Sequence, residues 1–239
     1  MAADRLEDLR GAGRIALTVD QVVLKHAVTV LERTAYRFVG FRETHALLQR
    51  LKETNPALHQ AVADTLDVQS LTEVLKRLLR EQVPVRQPVL VLEALVRWAA
   101  SEPRPAELTE RVRQELCCEL FGDLRKTGGS ITYFSIGPAI EKVILGACQV
   151  TSSGDVIAPI SIEDQRRILE AIGAALSGTA SPLGGRPVVV TRVESRRLLR
   201  DAIAGTFPDL TVLSYAEMGM EGCLCRGTID LEDELASRV

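Results

Sequence analysis

The sequence predicts a helix-rich α+β protein with three parts: a short strand–helix segment, a helical subdomain, and a small α/β subdomain with a mixed sheet. Apolar residues recur every three or four positions through the first half of the chain, which is typical of packed helices. After Gly128 and Gly129, helix-like and strand-like patterns alternate instead. The chain has 239 residues, of which 46% are hydrophobic, so it is long enough to bury the core of one or two compact units.

The first part is predicted to be a short strand followed by a long helix. Residues 14–18 have the composition of a strand, and Asp20 is a candidate N-cap for the helix that follows. Helical spacing is shared by the apolar residues Val23, Ala27, Val30, Leu31 and Ala35.

The second part reads as five successive helices. The first two are predicted over residues 43–52 and 56–65. The third should begin at Ser70, with Glu73 completing a capping box, and should end before Pro84. Its buried stripe is predicted to be Leu71, Val74, Leu75, Leu78 and Leu79.

Prolines also mark the last two helices of this part. Pro88 occupies a position where a helix can start, and Pro103 and Pro105 precede a helix predicted over 105–121. That last helix has apolar residues spaced by four, at Leu108, Val112, Leu116 and Leu120.

The third part should place helices on a sheet. Strands are predicted over 131–136, in the run PVVVT ending at Thr191, over 211–214 and from Cys223. The continuous apolar run PVVVT indicates a strand buried on both faces. Ser161 should cap one of the intervening helices, and further helical spacing is shared by Ile140, Val143, Ile144, Ala147, Ile168, Leu169, Ile172, Leu176, Leu198, Leu199 and Ile203.

The cysteines indicate neither a disulfide framework nor a metal site. There are five, an odd number, and neither the pair Cys117–Cys118 nor the Cys223-x-Cys225 spacing fits a zinc ligand set. Alternation along the last strand predicts that Cys223 and Cys225 pack in the core on the same face as Ile229 and Leu231.

Motif searches give no catalytic, cofactor-binding or metal-binding residues. His26, His45 and His59 do not form a metal-binding motif and are interpreted as solvated or core histidines. The glycine pairs lack the residues that complete a phosphate-binding loop, and no G-x-S-x-G motif is present. The sequence therefore predicts a protein that is not an enzyme and needs no cofactor.

Charge and hydropathy exclude two further classes. A net charge of −3 argues against nucleic-acid binding, and the basic cluster Arg196, Arg197 and Arg200 is interpreted as a solvated helix face, with contact to an acidic partner as the alternative. No apolar run reaches the roughly 18 residues that a membrane helix needs, and the N-terminus is charged where a signal peptide would be apolar. We therefore expect a soluble, cytoplasmic chain.

Several segments together resemble one family. The segment 22–48 has a long helix, a glycine and an R-E-T helix; LTEVLKRLLREQVPVRQPVLVLEALVRWA covers 71–99; and PDLTVLS covers 208–214. The most specific positions are Val83, Pro84, Val85, Arg86, Pro208, Asp209 and Leu210. The chain resembles the cytosolic C-terminal domain of the FHIPEP family, the export gate of type III secretion. This likeness covers most of the chain in order.

The resemblance implies three subdomains and a function in protein export. Residues 1–38 would be the tail of an inserted subdomain and the helix returning to the first subdomain, 39–116 the helical subdomain, and 117–239 the terminal α/β subdomain. Nine copies would form a ring at the cytoplasmic face of the bacterial inner membrane, held there by a membrane region that this chain lacks. The expected partners are chaperone–substrate complexes and the stalk and gatekeeper proteins of the apparatus.

The resemblance also suggests a partner site and shows one departure. Leu24, Lys25 and His26 would form one wall of the chaperone-binding groove, although Lys25 would also suit a solvated helix surface. Family members carry Asp at the position of Gln87, so an ion pair made by that Asp would be absent here.

Two other interpretations remain open from the sequence. One is a cytosolic α/β enzyme that uses the loops at Gly128 and Gly184, and the other is a regulatory scaffold unrelated to secretion. The sequence leaves open which substrates are handled, whether the system is flagellar or an injectisome, and whether this chain alone assembles.

Overall fold

A computed structural model describes residues 17–83, 85–117, 131–152, 155–177, 188–218 and 223–231. Helix α1 spans Val19–Thr34 and continues into a 3₁₀ helix at Ala35–Phe38. Thr18, and not Asp20 as predicted, is the N-cap: its hydroxyl accepts a hydrogen bond from Gln21 N at 3.4 Å. Of the predicted strand over 14–18, residues 14–16 lie outside the described part, and the last two residues are not in a strand.

Five helices form the helical unit, whose shared core runs from Leu51 to Leu116. Their bounds are α2 Phe41–Thr54, α3 Pro56–Thr65, α4 Val68–Arg80, α5 Pro88–Ala99 and α6 Pro105–Glu115. Each buries its apolar stripe against the others, as the spacing predicts.

Helix α4 begins and ends differently from the prediction. Asp67 is its N-cap, because its carboxylate accepts from Ser70 N at 2.8 Å, so Ser70 lies inside the first turn. The helix ends through Gln82, whose φ of 56° lets Val83 N donate to Leu78 O at 2.9 Å. Pro84, the predicted terminator, lies outside the described residues, as does Leu120 at the end of the predicted helix 105–121.

The α/β unit contains four parallel strands and a separate antiparallel pair. The sheet has the order β5–β4–β1–β6, and β2 pairs with β3 beside it, so the expected mixture of parallel and antiparallel pairs is divided between two sheets. The elements are β1 Ile131–Ile136, α7 Pro138–Gly146, β2 Gln149–Val150, β3 Val156–Ile157, α8 Ile162–Ser177, β4 Val188–Thr191, α9 Val193–Ile203, β5 Thr211–Ser214 and β6 Cys223–Ile229.

Strand β4 is buried on both faces, which confirms the prediction from its continuous apolar run. Val189 packs on the face covered by α7, α8 and α9. Val188 and Val190 pack on the opposite face together with Leu213. Such two-sided burial is expected of a central strand in a parallel sheet.

A bulge in β6 overturns the predicted placement of two cysteines. Cys225 pairs with Tyr133 while Gly227 pairs with Phe134, so Arg226 is an extra residue on this strand. One extra residue reverses the faces of everything beyond it. Ile229 therefore joins one core, whereas Cys223 lies partly buried against the other face and Cys225 is exposed.

Among the described residues, no helix is both long enough and apolar enough to cross a membrane.

Candidate functional site: an exposed helix and the joint between two units

Helix α1 presents apolar side chains to the surroundings and contributes no buried residue. Leu24, Lys25 and His26, the predicted groove wall, are all exposed, and Leu24 has 64% of its surface accessible. The other exposed apolar residues of this helix are Val19, Val22, Val23, Val28, Val30 and Leu31. An exposed apolar face of this size is typical of an interaction surface.

One ion pair connects the end of α1 to the α/β unit. The guanidinium of Arg33 pairs with both carboxylate oxygens of Asp209, and both side chains are about half exposed. An exposed pair of this kind contributes little to stability. Asp209 belongs to the Pro208–Leu210 motif, so this motif contacts α1.

The Pro208–Leu210 motif is held in place by Arg200. The guanidinium of Arg200 donates to the carbonyl oxygens of Phe207 at 2.9 Å, Pro208 at 2.8 Å and Leu210 at 3.1 Å. Leu210 is buried in the α/β core. The motif is thus a loop before β5, anchored by Arg200, that presents Asp209 at its surface.

The Val83–Arg86 motif connects α4 to α5. Val83 is buried in the helical core, Val85 packs against it, and Arg86 is exposed. The next residue, Gln87, is the N-cap of α5, and its side chain makes no capping hydrogen bond. An Asp at position 87 would supply the cap that Gln87 does not make.

The basic cluster on α9 is not a solvated face, which corrects the interpretation made from sequence. Arg196 is 0% exposed and Arg200 8%, while Arg197 is half-buried and donates to the carbonyl oxygen of Val156 at 2.8 Å. The three arginines are packed inside the protein because acidic residues and carbonyl oxygens face them there.

Arg196 lies in a buried ionic cluster between the two units. Its Nη1 is 2.6 Å from Oε2 of Glu81, at the end of α4, and its Nε is 2.5 Å from Oε2 of Glu110 on α6. From the other direction, Arg113 of α6 donates from Nε to Oε1 of Glu217 at 3.0 Å, and its Nη1 is 3.1 Å from Oε2 of Glu81.

The two carboxyl groups that contact Arg196 differ in their pKa. Burial tends to raise the pKa of Glu81, but the charges of Arg196 and Arg113 outweigh burial and lower that pKa to about 2. For Glu110, burial outweighs the attraction of Arg196 and raises the pKa above its ordinary value. Of these two carboxylates, Glu81 therefore holds its charge more firmly.

The carboxyl end of the sheet does not offer an anion site at α7. In α/β folds, phosphate groups often bind at a helix N-terminus beside this edge. Here the Asp230 carboxylate already accepts from Ile140 N at 3.0 Å and from Ala139 N at 3.4 Å. Nearby, the buried Glu141 carboxylate accepts from the Thr191 hydroxyl at 2.8 Å, so it too has a partner.

Within the described ranges, no three metal-ligating side chains converge on one point. The loops at Gly128 and Gly184, on which the enzyme alternative depends, lie outside those ranges.

Sequence reasoning missed the acidic half of the buried cluster: Glu81, Glu110 and Glu217. One signal was available on α9, where Arg196, Leu199 and Ile203 recur at the spacing of a buried stripe. A charged residue within such a stripe indicates a buried ion pair, but the sequence does not name its partners.

Comparisons with known proteins place the chain in a family. The FHIPEP family profile matches residues 1–222. The chain is 32% identical over 216 residues to the invasion protein InvA of Salmonella typhimurium, covering 89% of this chain and 30% of InvA. It is 31% identical over 210 residues to the hypersensitivity response secretion protein HrcV of Ralstonia nicotianae, covering 84% of this chain and 29% of HrcV. It thus spans about a third or less of these relatives.

Solved structures agree with these matches. The fold is similar to that of Chlamydia pneumoniae CdsV, with a TM-score of 0.84 and 28% identity over 95% of this chain and 65% of CdsV. It is also similar to nonameric SctV-C of EPEC, with a TM-score of 0.75 and 27% identity over 89% of this chain and 64% of that one. The helix-rich fold with a small sheet and the sequence matches lead to one conclusion: the chain belongs to the FHIPEP family of secretion proteins.

Proposed function

We propose that this chain is a cytosolic ring subunit of a type III secretion export gate, on the cytoplasmic face of the bacterial inner membrane, where it docks export cargo. The observation that carries the proposal is the family match over 222 of 239 residues. Two relatives with a similar fold, SctV-C and the EscV cytosolic domain, are nonameric. The proposed role is recognition and assembly, as expected of a relative of secretion apparatus proteins.

Assembly should be weak for this chain by itself. Contacts of modest area give association that depends on concentration, and α1 buries none of its apolar side chains against the described part of the chain. We expect a monomer at low concentration and ring-shaped particles at high concentration. Sedimentation velocity across a concentration series, followed by electron microscopy, measures this. A monomer at every concentration, with no rings on grids, contradicts the ring assignment.

Cargo docking is assigned to Leu24, Lys25 and His26, together with residues that precede this chain in the longer relatives. These three side chains are exposed on α1 next to several exposed apolar residues. Lys25 combines a cation with an apolar stem, so it suits a chaperone surface that is acidic and partly apolar. Stalk and gatekeeper proteins are further proposed partners, and a complex of the relative CdsV with the protein CdsO is known.

A charge reversal tests this assignment. In the protein extended at its N-terminus, Lys25→Glu should weaken binding of an acidic chaperone–substrate complex, and the loss should shrink at high salt. Lys52→Glu, at an exposed position on α2, is the matched control with the same charge change. Calorimetry at two salt concentrations gives both affinities. Equal affinity for the Lys25 and Lys52 variants would assign Lys25 to ordinary solvated helix surface.

A further inference from the structure

The helical and α/β units have separate hydrophobic cores. In the described ranges, the core of the helical unit ends at Leu116, and the two clusters of the α/β unit share no residue with it. The buried contact between the units is made largely of charged groups instead. Each unit therefore has an apolar core of its own.

The charged contact is reciprocal. The α/β unit inserts Arg196 between Glu81 and Glu110 of the helical unit, and the helical unit inserts Arg113 beside Glu217 of the α/β unit. Both guanidinium groups also approach the carbonyl oxygen of Val212, at 3.4 Å from Arg196 and 3.5 Å from Arg113. These five side chains, with the Val212 carbonyl, are called the latch below.

Two open clefts lie along the seam between α6 and α9. A cavity of about 350 Å³ lies near the start of α9, and a second of about 30 Å³ lies further along it. Glu110 and Arg197 line both. The contact between α6 and α9 is therefore not sealed by continuous apolar packing.

We propose that the latch is a separable joint: it sets the orientation of the α/β unit on the helical unit, and breaking it lets the α/β unit turn as a body while both units stay folded. Buried ion clusters contribute little net stability, because removing charges from water costs nearly as much as pairing them returns. They do demand particular geometry. An interface of buried ion pairs therefore fixes the orientation of one unit relative to the other while their hydrophobic cores stay separate.

The orientation can be measured in 15N-labelled protein, without attached probes, by residual dipolar couplings of backbone amides. In the unmodified chain, the two units should share one alignment tensor. In Arg196→Met, amide chemical shifts away from the joint should stay native, and the two units should have alignment tensors that differ in magnitude. Arg166→Met is the control, since Arg166 is an exposed arginine with two glutamate partners, Glu163 at 2.6 Å and Glu170 at 2.5 Å. This control should keep one tensor.

A single shared tensor in folded Arg196→Met would overturn the proposal, because the latch would then be an ordinary stabilising contact. Removal of Arg196 leaves two carboxylates without their buried partner, which can unfold a protein. In that case Glu81→Gln replaces it, since this change keeps the side-chain shape and removes one charge. Two distinct tensors in Glu81→Gln support the joint, and one shared tensor rejects it.

Discussion

The contact between Gly137 and Asp230 gives the sharpest prediction about this fold. Gly137 is the N-cap of α7 with φ of −82°, a conformation open to any residue, so backbone strain does not require glycine there. Space does. A Cβ built on Gly137 would lie 2.3 Å from Cγ and Oδ2 of Asp230 and 2.6 Å from its Cβ. Gly137→Ala must therefore displace the carboxylate that caps α7.

The expected cost follows from the lost interactions. Asp230→Ala removes a helix cap worth about 1 kcal/mol and the attraction of a negative charge to the helix N-terminus, worth about 0.3–1 kcal/mol. Gly137→Ala loses the same interactions and adds overpacking of about 1–3 kcal/mol, for a total of about 2–5 kcal/mol. Asp230→Asn, which keeps an acceptor oxygen without the charge, should cost less than either.

Urea unfolding followed by circular dichroism measures these free energies. Gly146→Ala is the matched control, because a Cβ at Gly146 would meet no atom within 4 Å. That variant should be neutral or more stable, since alanine favours helix over glycine by about 0.5–1 kcal/mol. If Gly137→Ala proves no more harmful than Gly146→Ala, the cap contributes nothing and the close approach is not a constraint.

Two further changes test other parts of the structure. Gln87→Asp should supply the missing cap of α5 and raise stability by about 0.5–2 kcal/mol, seen as a Tm increase of about 2–4 °C per kcal/mol; an unchanged Tm would show that the side chain does not cap. Glu81 has a folded-state pKa of about 2 against an ordinary 4.5, so its ionised form stabilises the fold above pH 4.5 and this contribution disappears as the pH falls toward 2. The difference in unfolding free energy between the unmodified chain and Glu81→Gln should therefore narrow over that range in urea titrations, whereas a difference independent of pH would contradict the lowered pKa.

Where apolar periodicity dominated, the sequence predicted the elements closely. The strand Ile131–Ile136, the helix Pro56–Thr65 and the strand Thr211–Ser214 have the predicted bounds. The spacing of apolar residues shows which face of a helix or strand is buried, and this spacing is a local property of the sequence. The predicted N-cap residues of two helices were wrong. Thr18 and Asp67 are the N-caps, although the neighbouring Asp20 and Ser70 are residue types that could also cap a helix.

The proposed groove wall at Leu24, Lys25 and His26 came from resemblance, and the structure adds that all three are exposed. The subdomain boundaries at 38 and 116 remain predictions. The sequence could not show which charged residues are buried or what they pair with, since the partner of Arg196 lies 115 positions away at Glu81.

By itself, the sequence determined the family, the helical and α/β parts and most of their elements, because these depend on short-range patterns and on motifs read in order. The tertiary structure alone decided that the arginines of α9 are buried, that a bulge at Arg226 separates Cys223 and Ile229 onto opposite faces, and that Asp230 caps α7. Each of these depends on residues far apart in the chain meeting in space. Whether a charged residue is buried, or where a strand bulges, depends on residues that are distant in sequence. Local sequence patterns do not show which residues these are.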